Sequence, residues 1–108
     1  MAISFPKVVR KIVSSLSPNE TKNVDTIQTV SFTQLNYLIT VSDAGSTKRF
    51  TANVTVQKTN SGVDHSVHSR IGNIGISVNP KVTGSDFQLE LVNQTSDALQ
   101  VSMARTLT

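Results

Sequence analysis

Two neighbouring stretches decide the fold of this chain, LNYLITV at positions 35–41 and FTANVTV at positions 50–56. In each stretch apolar residues occupy every second position, and short polar residues occupy most of the positions between them. A period of two is typical of a β-strand with one buried face. The segment Asp43-Ala44-Gly45-Ser46 between them has the composition of a tight turn. The two stretches are therefore predicted to form a hairpin.

The same alternation continues towards the C terminus. Its apolar positions, broken only by one histidine, are Val63, His65 and Val67, then Ile74, Ile76 and Val78, then Phe87, Leu89 and Leu91, and finally Leu99, Val101 and Met103, with Leu107 on the same parity. Turns are predicted at 59–62, 79–80, 84–86 and 93–97, the alternation breaks at 71–73, and Gly72 and Gly75 indicate a bulge or tight bend. No connection is long enough for a crossover helix, so antiparallel pairing is expected. The prediction is an all-β, jelly-roll-like antiparallel sandwich of about eight strands, forming a single domain over residues 1–108.

The N-terminal segments are less regular. An apolar stripe at helical spacing is formed by Val8, Val9, Ile12, Val13 and Leu16. As a helix this segment would place three basic residues near its N terminus, where they oppose the helix dipole. The sequence therefore favours a strand and leaves a helix as the alternative. A second strand with weak alternation is predicted over Val24 to Phe32.

Composition excludes several classes of function. The chain has no cysteine, so disulfide bonds, thiolate metal sites and thiol catalysis are absent, and folding in a reducing cytoplasm is favoured. Residues 1–11 lack the pattern of a secretory signal, and no apolar run approaches the length of a membrane span. The formal net charge of +3 is too small to indicate nucleic-acid binding without a clustered patch.

Residue types that carry chemistry are sparse. The two histidines, His65 and His68, are three apart in a predicted strand, so they should point to opposite faces, one half-buried and one in solvent. Ser66 lies between them, but a Ser-His site also needs an orienting acid and an oxyanion hole. Most of the seven carboxylates fall in or next to predicted turns and should be solvated or bonded to their own backbone; they are Glu20, Asp25, Asp43, Asp64, Asp86, Glu90 and Asp97. We therefore predict no enzyme activity and no catalytic, cofactor-binding or metal-binding residues.

Basic residues form two small clusters, Lys7 with Arg10 and Lys11, and Lys48 with Arg49. Neither cluster is interleaved with aromatic residues, as a protein that binds single-stranded nucleic acid would require. Charge on an edge strand opposes edge-to-edge aggregation, and we expect both clusters to have this role. Contact with an acidic partner surface or with nucleic acid is the alternative.

A series of short motifs covers nearly the whole chain. They are Val8 to Ser17, Val24-Asp25, Phe32, Tyr37-Leu38-Ile39-Thr40-Val41, Asn53-Val54-Thr55-Val56, Asn60-Ser61-Gly62, Ser69-Arg70-Ile71-Gly72, Val82-Thr83-Gly84-Ser85, Phe87-Gln88-Leu89-Glu90-Leu91-Val92-Asn93 and Val101-Ser102-Met103-Ala104-Arg105. Their order resembles small β-sandwich modules in structural proteins of tailed bacteriophages, especially marine and cyanobacterial phages. Such modules occur in capsid-decorating, knob, neck and fibre proteins. The chain departs from the pattern at Lys58-Thr59-Asn60, where members often carry a His-Asp-Gly-like turn.

The resemblance implies a virion structural protein, made in the host cytoplasm, that decorates the capsid or forms a knob, collar or fibre element. It carries over no catalytic residue and no cofactor. The expected partners are further copies of the chain, in a homo-oligomer, and another virion protein such as the major capsid or neck protein. Unpaired strand edges and exposed apolar residues such as Leu38 favour this association. Nucleic acid and membrane are not expected as partners.

Two other functions fit the same composition. A carbohydrate-binding module for host attachment would need exposed aromatic rings, and most of the five aromatic residues, Tyr37 and four phenylalanines, are predicted to be buried. A small coat protein would contact nucleic acid through the basic N-terminal stretch, and its binding would depend strongly on salt.

Overall fold

The computed structural model describes residues 8–45, 47–60, 62–72 and 74–108, with side chains from residue 10 onward. Eight antiparallel strands in these ranges form two sheets, which confirms the predicted all-β sandwich. The strands are β1 (Val8–Leu16), β2 (Thr21–Gln28), β3 (Gln34–Asp43), β4 (Arg49–Thr59), β5 (Gly62–Ile71), β6 (Ile76–Thr83), β7 (Asp86–Asn93) and β8 (Leu99–Leu107). The larger sheet has the order β1-β8-β3-β4-β5 and the smaller sheet the order β2-β7-β6.

The chain returns on itself so that its first and last strands pair. β1 pairs with β8, and β2 pairs with β7, which gives the jelly-roll-like part of the topology. β3, β4 and β5 instead follow one another as a meander within the larger sheet. The predicted hairpin is confirmed as β3 and β4, whose register runs from Gln34 opposite Gln57 to Ser42 opposite Arg49. The Asp43 carboxylate forms a hydrogen bond within the predicted turn, since it accepts from the backbone N–H of Thr47 at 2.8 Å. Ser46 of the same turn lies outside the described residues.

One hydrophobic cluster fills the space between the sheets. Its buried members are Leu16, Ile27, Phe32, Leu35, Tyr37, Ile39, Val41, Phe50, Ala52, Val54, Val56, Ile74, Ile76, Val78, Phe87, Leu89, Leu91, Leu99, Val101 and Met103. Tyr37 stacks on Phe87 with ring centroids 6.1 Å apart, and Phe32 meets the same ring edge-on at 6.3 Å. Because a shift of one residue would turn every inward side chain outward, this burial fixes the register of the strands.

The first segment is a strand, and the helical alternative is wrong. β1 pairs with β8 along its whole length, from Val8 opposite Leu107 to Leu16 opposite Leu99. Leu16 is buried and Ile12 is partly buried against the core, whereas Val13 on the other face is 70% exposed. The side chains of residues 8 and 9 lie outside the described part of the structure.

Two of the predicted strands have different boundaries in the structure. β2 begins at Thr21, three residues before the predicted start at Val24. It ends at Gln28 instead of Phe32, because a 3-10 turn at Thr29–Ser31 leads the chain into the larger sheet. β6 does not end at Asn79-Pro80 but continues to Thr83, with Pro80 opposite Leu89. A proline lacks the N–H that a central strand must donate, but β6 is an edge strand and tolerates it.

The predicted bend between β5 and β6 is confirmed, and it carries the chain from the larger sheet to the smaller one. Gly72 has φ of 88°, and a Cβ atom on it would lie 2.2 Å from the carbonyl oxygen of Arg49. Only glycine fits a position that is both left-handed and this close to neighbouring backbone. Asn73, part of the same predicted turn, lies outside the described residues.

A charged contact joins the two sheets inside the sandwich. Asp25 of β2 accepts hydrogen bonds from Nη1 of Arg105 on β8, at 3.1 Å to Oδ1 and 3.0 Å to Oδ2. The hydroxyl of Tyr37 on β3 donates to Oδ2 of the same carboxylate at 2.7 Å. The side chains of Arg105 and Asp25 are only 9% and 10% exposed. The prediction that the carboxylates are solvated or bound to their own turns is therefore wrong for Asp25.

The register of the strands brings these three groups together. Arg105 lies directly opposite Tyr37 in the pairing of β8 with β3, and both occupy inward positions. Asp25 follows a register shift between Asn23 and Asp25 in β2. From Asp25 onward the pairing is regular, and because Asp25 lies opposite the buried Leu89 and shares the parity of Ile27, its carboxylate faces the interior.

Removing one partner of the charged contact should destabilise the protein strongly, whereas replacing both partners should cost less. Replacing Arg105 by methionine leaves the Asp25 carboxylate buried without its cation. We expect this change to lower the free energy of unfolding by about 3–5 kcal/mol. The double variant Asp25→Asn/Arg105→Met should recover part of this loss, because the amide carries no charge and still accepts from Tyr37. Chemical denaturation of the three proteins measures these values, and a double variant less stable than Arg105→Met would contradict the interpretation.

Tyr37 is the only tyrosine in a chain without tryptophan, so its ionisation can be followed directly. Burial, and then its hydrogen bond to Asp25, raise the pKa of Tyr37 well above its ordinary value of 10.0. Its stabilising effect is therefore fully present below pH 10 and is lost as the pH rises towards the folded-state pKa. We expect the near-ultraviolet phenolate absorbance to stay low about one unit above pH 10 and to appear on unfolding in denaturant. Phenolate formation near pH 10 in protein with native circular dichroism would contradict this.

Candidate functional site

The charged contact between the sheets is buried and its groups bind one another. Its carboxylate is occupied by Arg105 and Tyr37, and the groups lie inside the sandwich. In the described ranges no three histidine, aspartate or glutamate side chains come together as metal ligands. The described residues also include no helix long and apolar enough to cross a membrane.

The two histidines point to opposite faces of β5, as predicted. His65 lies opposite Val56, whose side chain is buried, and His68 lies opposite Asn53 on the outer side of the sheet. Both are exposed, so the expectation that one is half-buried is wrong. The reason is that β5 is the edge of a five-stranded sheet, which the three-stranded sheet opposite it cannot cover completely.

The basic clusters have different positions. Arg10 and Lys11 are exposed on β1, an edge of the larger sheet, as predicted; Lys7 lies outside the described residues. Lys48 lies in the turn after β3, and Arg49 begins β4, which is flanked by β3 and β5. The prediction of an edge position is therefore wrong for the second cluster, because a hairpin turn places charge at the end of a central strand.

The surface best suited to binding is the outward side of the five-stranded sheet, which we call the outer face. Cross-strand pairing arranges its side chains in two adjacent rows across all five strands. The first row is Val13, Ser102, Thr40, Thr51 and Ile71. The second row is Lys11, Ala104, Leu38, Asn53 and His68. Strand order, not sequence order, makes these residues neighbours.

The outer face also carries exposed apolar side chains. Five large hydrophobic side chains are exposed in the described part of the chain, and three of them lie in these rows: Val13 at 70%, Leu38 at 46% and Ile71 at 70%. The predicted exposure of Leu38 is confirmed. The other two, Val30 and Val82, lie on a turn and on the smaller sheet. Because three of these five side chains share the outer face, it is the candidate interaction surface among the described residues.

Hydrogen bonds link several polar side chains of the outer face. The Thr55 hydroxyl donates to Oδ1 of Asn36 at 3.2 Å and also lies 2.9 Å from Nε2 of His68. Nδ1 of His68 lies 3.2 Å from the Ser69 hydroxyl. This chain of bonds borders a shallow groove of about 310 Å³ that Leu38 also lines. The arrangement offers shape and hydrogen bonds but lacks an activated nucleophile.

The aromatic residues do not contribute to this surface. Phe32, Tyr37, Phe50 and Phe87 are all at most 4% exposed, which confirms the predicted burial. Within the described residues, no aromatic ring is exposed against which a sugar could stack. The described residues of the outer face therefore offer aliphatic and short polar side chains instead of aromatic rings.

Comparison with known proteins finds a likeness in fold. No model of a known protein family and no curated protein matches the chain. A tailspike protein, gp49 of Acinetobacter baumannii bacteriophage Fri1, is a capsular polysaccharide depolymerase; it aligns with 94% of this chain at a TM-score of 0.52 and 15% sequence identity. The tailspike of Acinetobacter phage vB_ApiP_P1 aligns with 98% of the chain at a TM-score of 0.43 and 13% identity. The chain spans 17% and 22% of these two proteins, and the first likeness shows that its fold also occurs as one part of a phage tailspike.

Proposed function

We propose that this chain is a structural module of a phage virion and belongs to a tail appendage such as a spike or fibre. The observation that carries the proposal is the fold, which is shared over 94% of the chain with part of a phage tailspike. This likeness favours an appendage over the capsid-decorating, knob or collar positions that the sequence also allowed. Virion location is consistent with the absence of cysteine, because the protein would fold in the host cytoplasm before assembly.

The proposed mechanism is passive docking through the outer face. Its side chains are mostly Thr, Ser, Asn and Ala, which lose little rotamer entropy when a partner covers them. Leu38 and the two exposed residues at the edges of the sheet, Val13 and Ile71, supply the apolar area that association buries.

We propose further that the module is not an enzyme. Depolymerase activity belongs to the Fri1 tailspike, of which this chain corresponds to 17%. Hydrolysis of a glycosidic bond needs two carboxyl groups facing one cleft. Two of the carboxylates here are instead occupied by cations: Asp25 binds Arg105, and Glu90 binds Lys81 at 2.9 Å.

Quantitative mass spectrometry of purified particles from the source phage tests the proposal. The measurement counts this chain against the major capsid protein. We expect a small copy number that matches the symmetry of a tail appendage. A copy number on the scale of the capsid protein would move the chain to capsid decoration, and absence from the particle would contradict a virion role.

A further inference from the structure

We infer that the outer face binds the outer face of a second copy of this chain, about a two-fold axis that runs along β3. The inference names the partner of the proposed docking surface and therefore rests on the proposed function. It also follows from the symmetry, charge and area of the face.

The strand order makes the outer face self-complementary. β3 is the central strand of the larger sheet, with two strands on each side. A two-fold axis along it exchanges β1 with β5 and β8 with β4, so each row of side chains meets the same row of the second copy in reverse order. Val13 then faces Ile71 of the second copy, and Leu38 faces Leu38. All three exposed apolar groups of these rows thereby meet apolar partners.

The charges of the two rows agree with this arrangement. Lys11 is the one residue in them with a permanent charge. The axis places it opposite His68 of the second copy, and the two Lys11 side chains fall at opposite edges of the interface. No pair of like permanent charges is brought together within the rows, so the main electrostatic cost of packing a face against itself is absent.

The area is sufficient for a specific dimer. Five strands spaced about 4.8 Å apart and about nine residues long give a face of roughly 24 by 30 Å, or on the order of 700 Å². A standard interface buries about 800 Å² on each partner. In sandwich proteins two sheets pack face to face in an aligned manner at an angle of about 30°, and the same geometry is available to two outer faces.

Matched variants separate the outer face from the rest of the surface. Leu38→Glu changes a residue of the face that is 46% exposed, and Val82→Glu changes one elsewhere that is 44% exposed. Ile71→Asp and Val30→Asp form a second pair at 70% and 77%. Analytical ultracentrifugation of the full chain should show a dimer for wild type, Val82→Glu and Val30→Asp. The two variants on the face should dimerise at least tenfold more weakly, and circular dichroism should show that all four variants are folded.

Cross-linking tests the axis itself, because the chain has no cysteine of its own. With a bismaleimide reagent that spans about 10 Å, the separation of packed sheets, Leu38→Cys should form a covalent dimer by itself. Val13→Cys should cross-link when mixed with Ile71→Cys and not when alone. Val82→Cys should remain monomeric in the same reaction.

A wild-type chain that remains monomeric at every concentration, or control variants that weaken the dimer as much as those on the face, would overturn the inference. If wild type is monomeric and the Leu38→Glu variant is lost from virions, the outer face binds a different virion protein. That result would contradict the inferred dimer and would leave the proposed function standing. A dimer with the expected cross-links that is absent from virions would instead support the inference and contradict the proposed function.

Discussion

The interior contact between Asp25 and Arg105 connects the two sheets of the sandwich. A carboxylate from the smaller sheet meets a guanidinium and a tyrosine hydroxyl from the larger one. The surrounding core is apolar, and its hydrophobic contacts are less directional than these bonds. A buried charge without its partner is strongly destabilising, so an arrangement of the sheets that separates Asp25 from Arg105 is disfavoured.

The two sides of the larger sheet differ in composition. Its inner side carries the core and the charged contact, and its outer face carries short polar side chains around Leu38. The side chains of the outer face stand on paired strands, so binding a partner to this face requires little reordering of the backbone.

Much of the fold followed from local pattern, and the remainder depended on strand order. The alternation over residues 35–41 and 50–56 predicted the hairpin and its buried side chains. Arg105 continues the inward parity of Met103, so its burial was visible in principle, whereas the register shift between Asn23 and Asp25 interrupts the alternation of β2 and obscures the inward parity that Asp25 shares with Ile27. The outer face combines residues nearly sixty positions apart, such as Val13 and Ile71. Only the order β1-β8-β3-β4-β5 makes them part of one row.

The central claim is that the outer face is the surface covered in the assembled protein. Hydroxyl-radical footprinting with mass spectrometry tests it most directly, by comparing side-chain oxidation in concentrated and dilute wild-type protein. We expect Leu38 and Ile71 to be oxidised more slowly in the concentrated sample, while Val30 and Val82 react equally in both. Equal oxidation of Leu38 and Ile71 at the two concentrations, or protection centred on Val82, would contradict the claim.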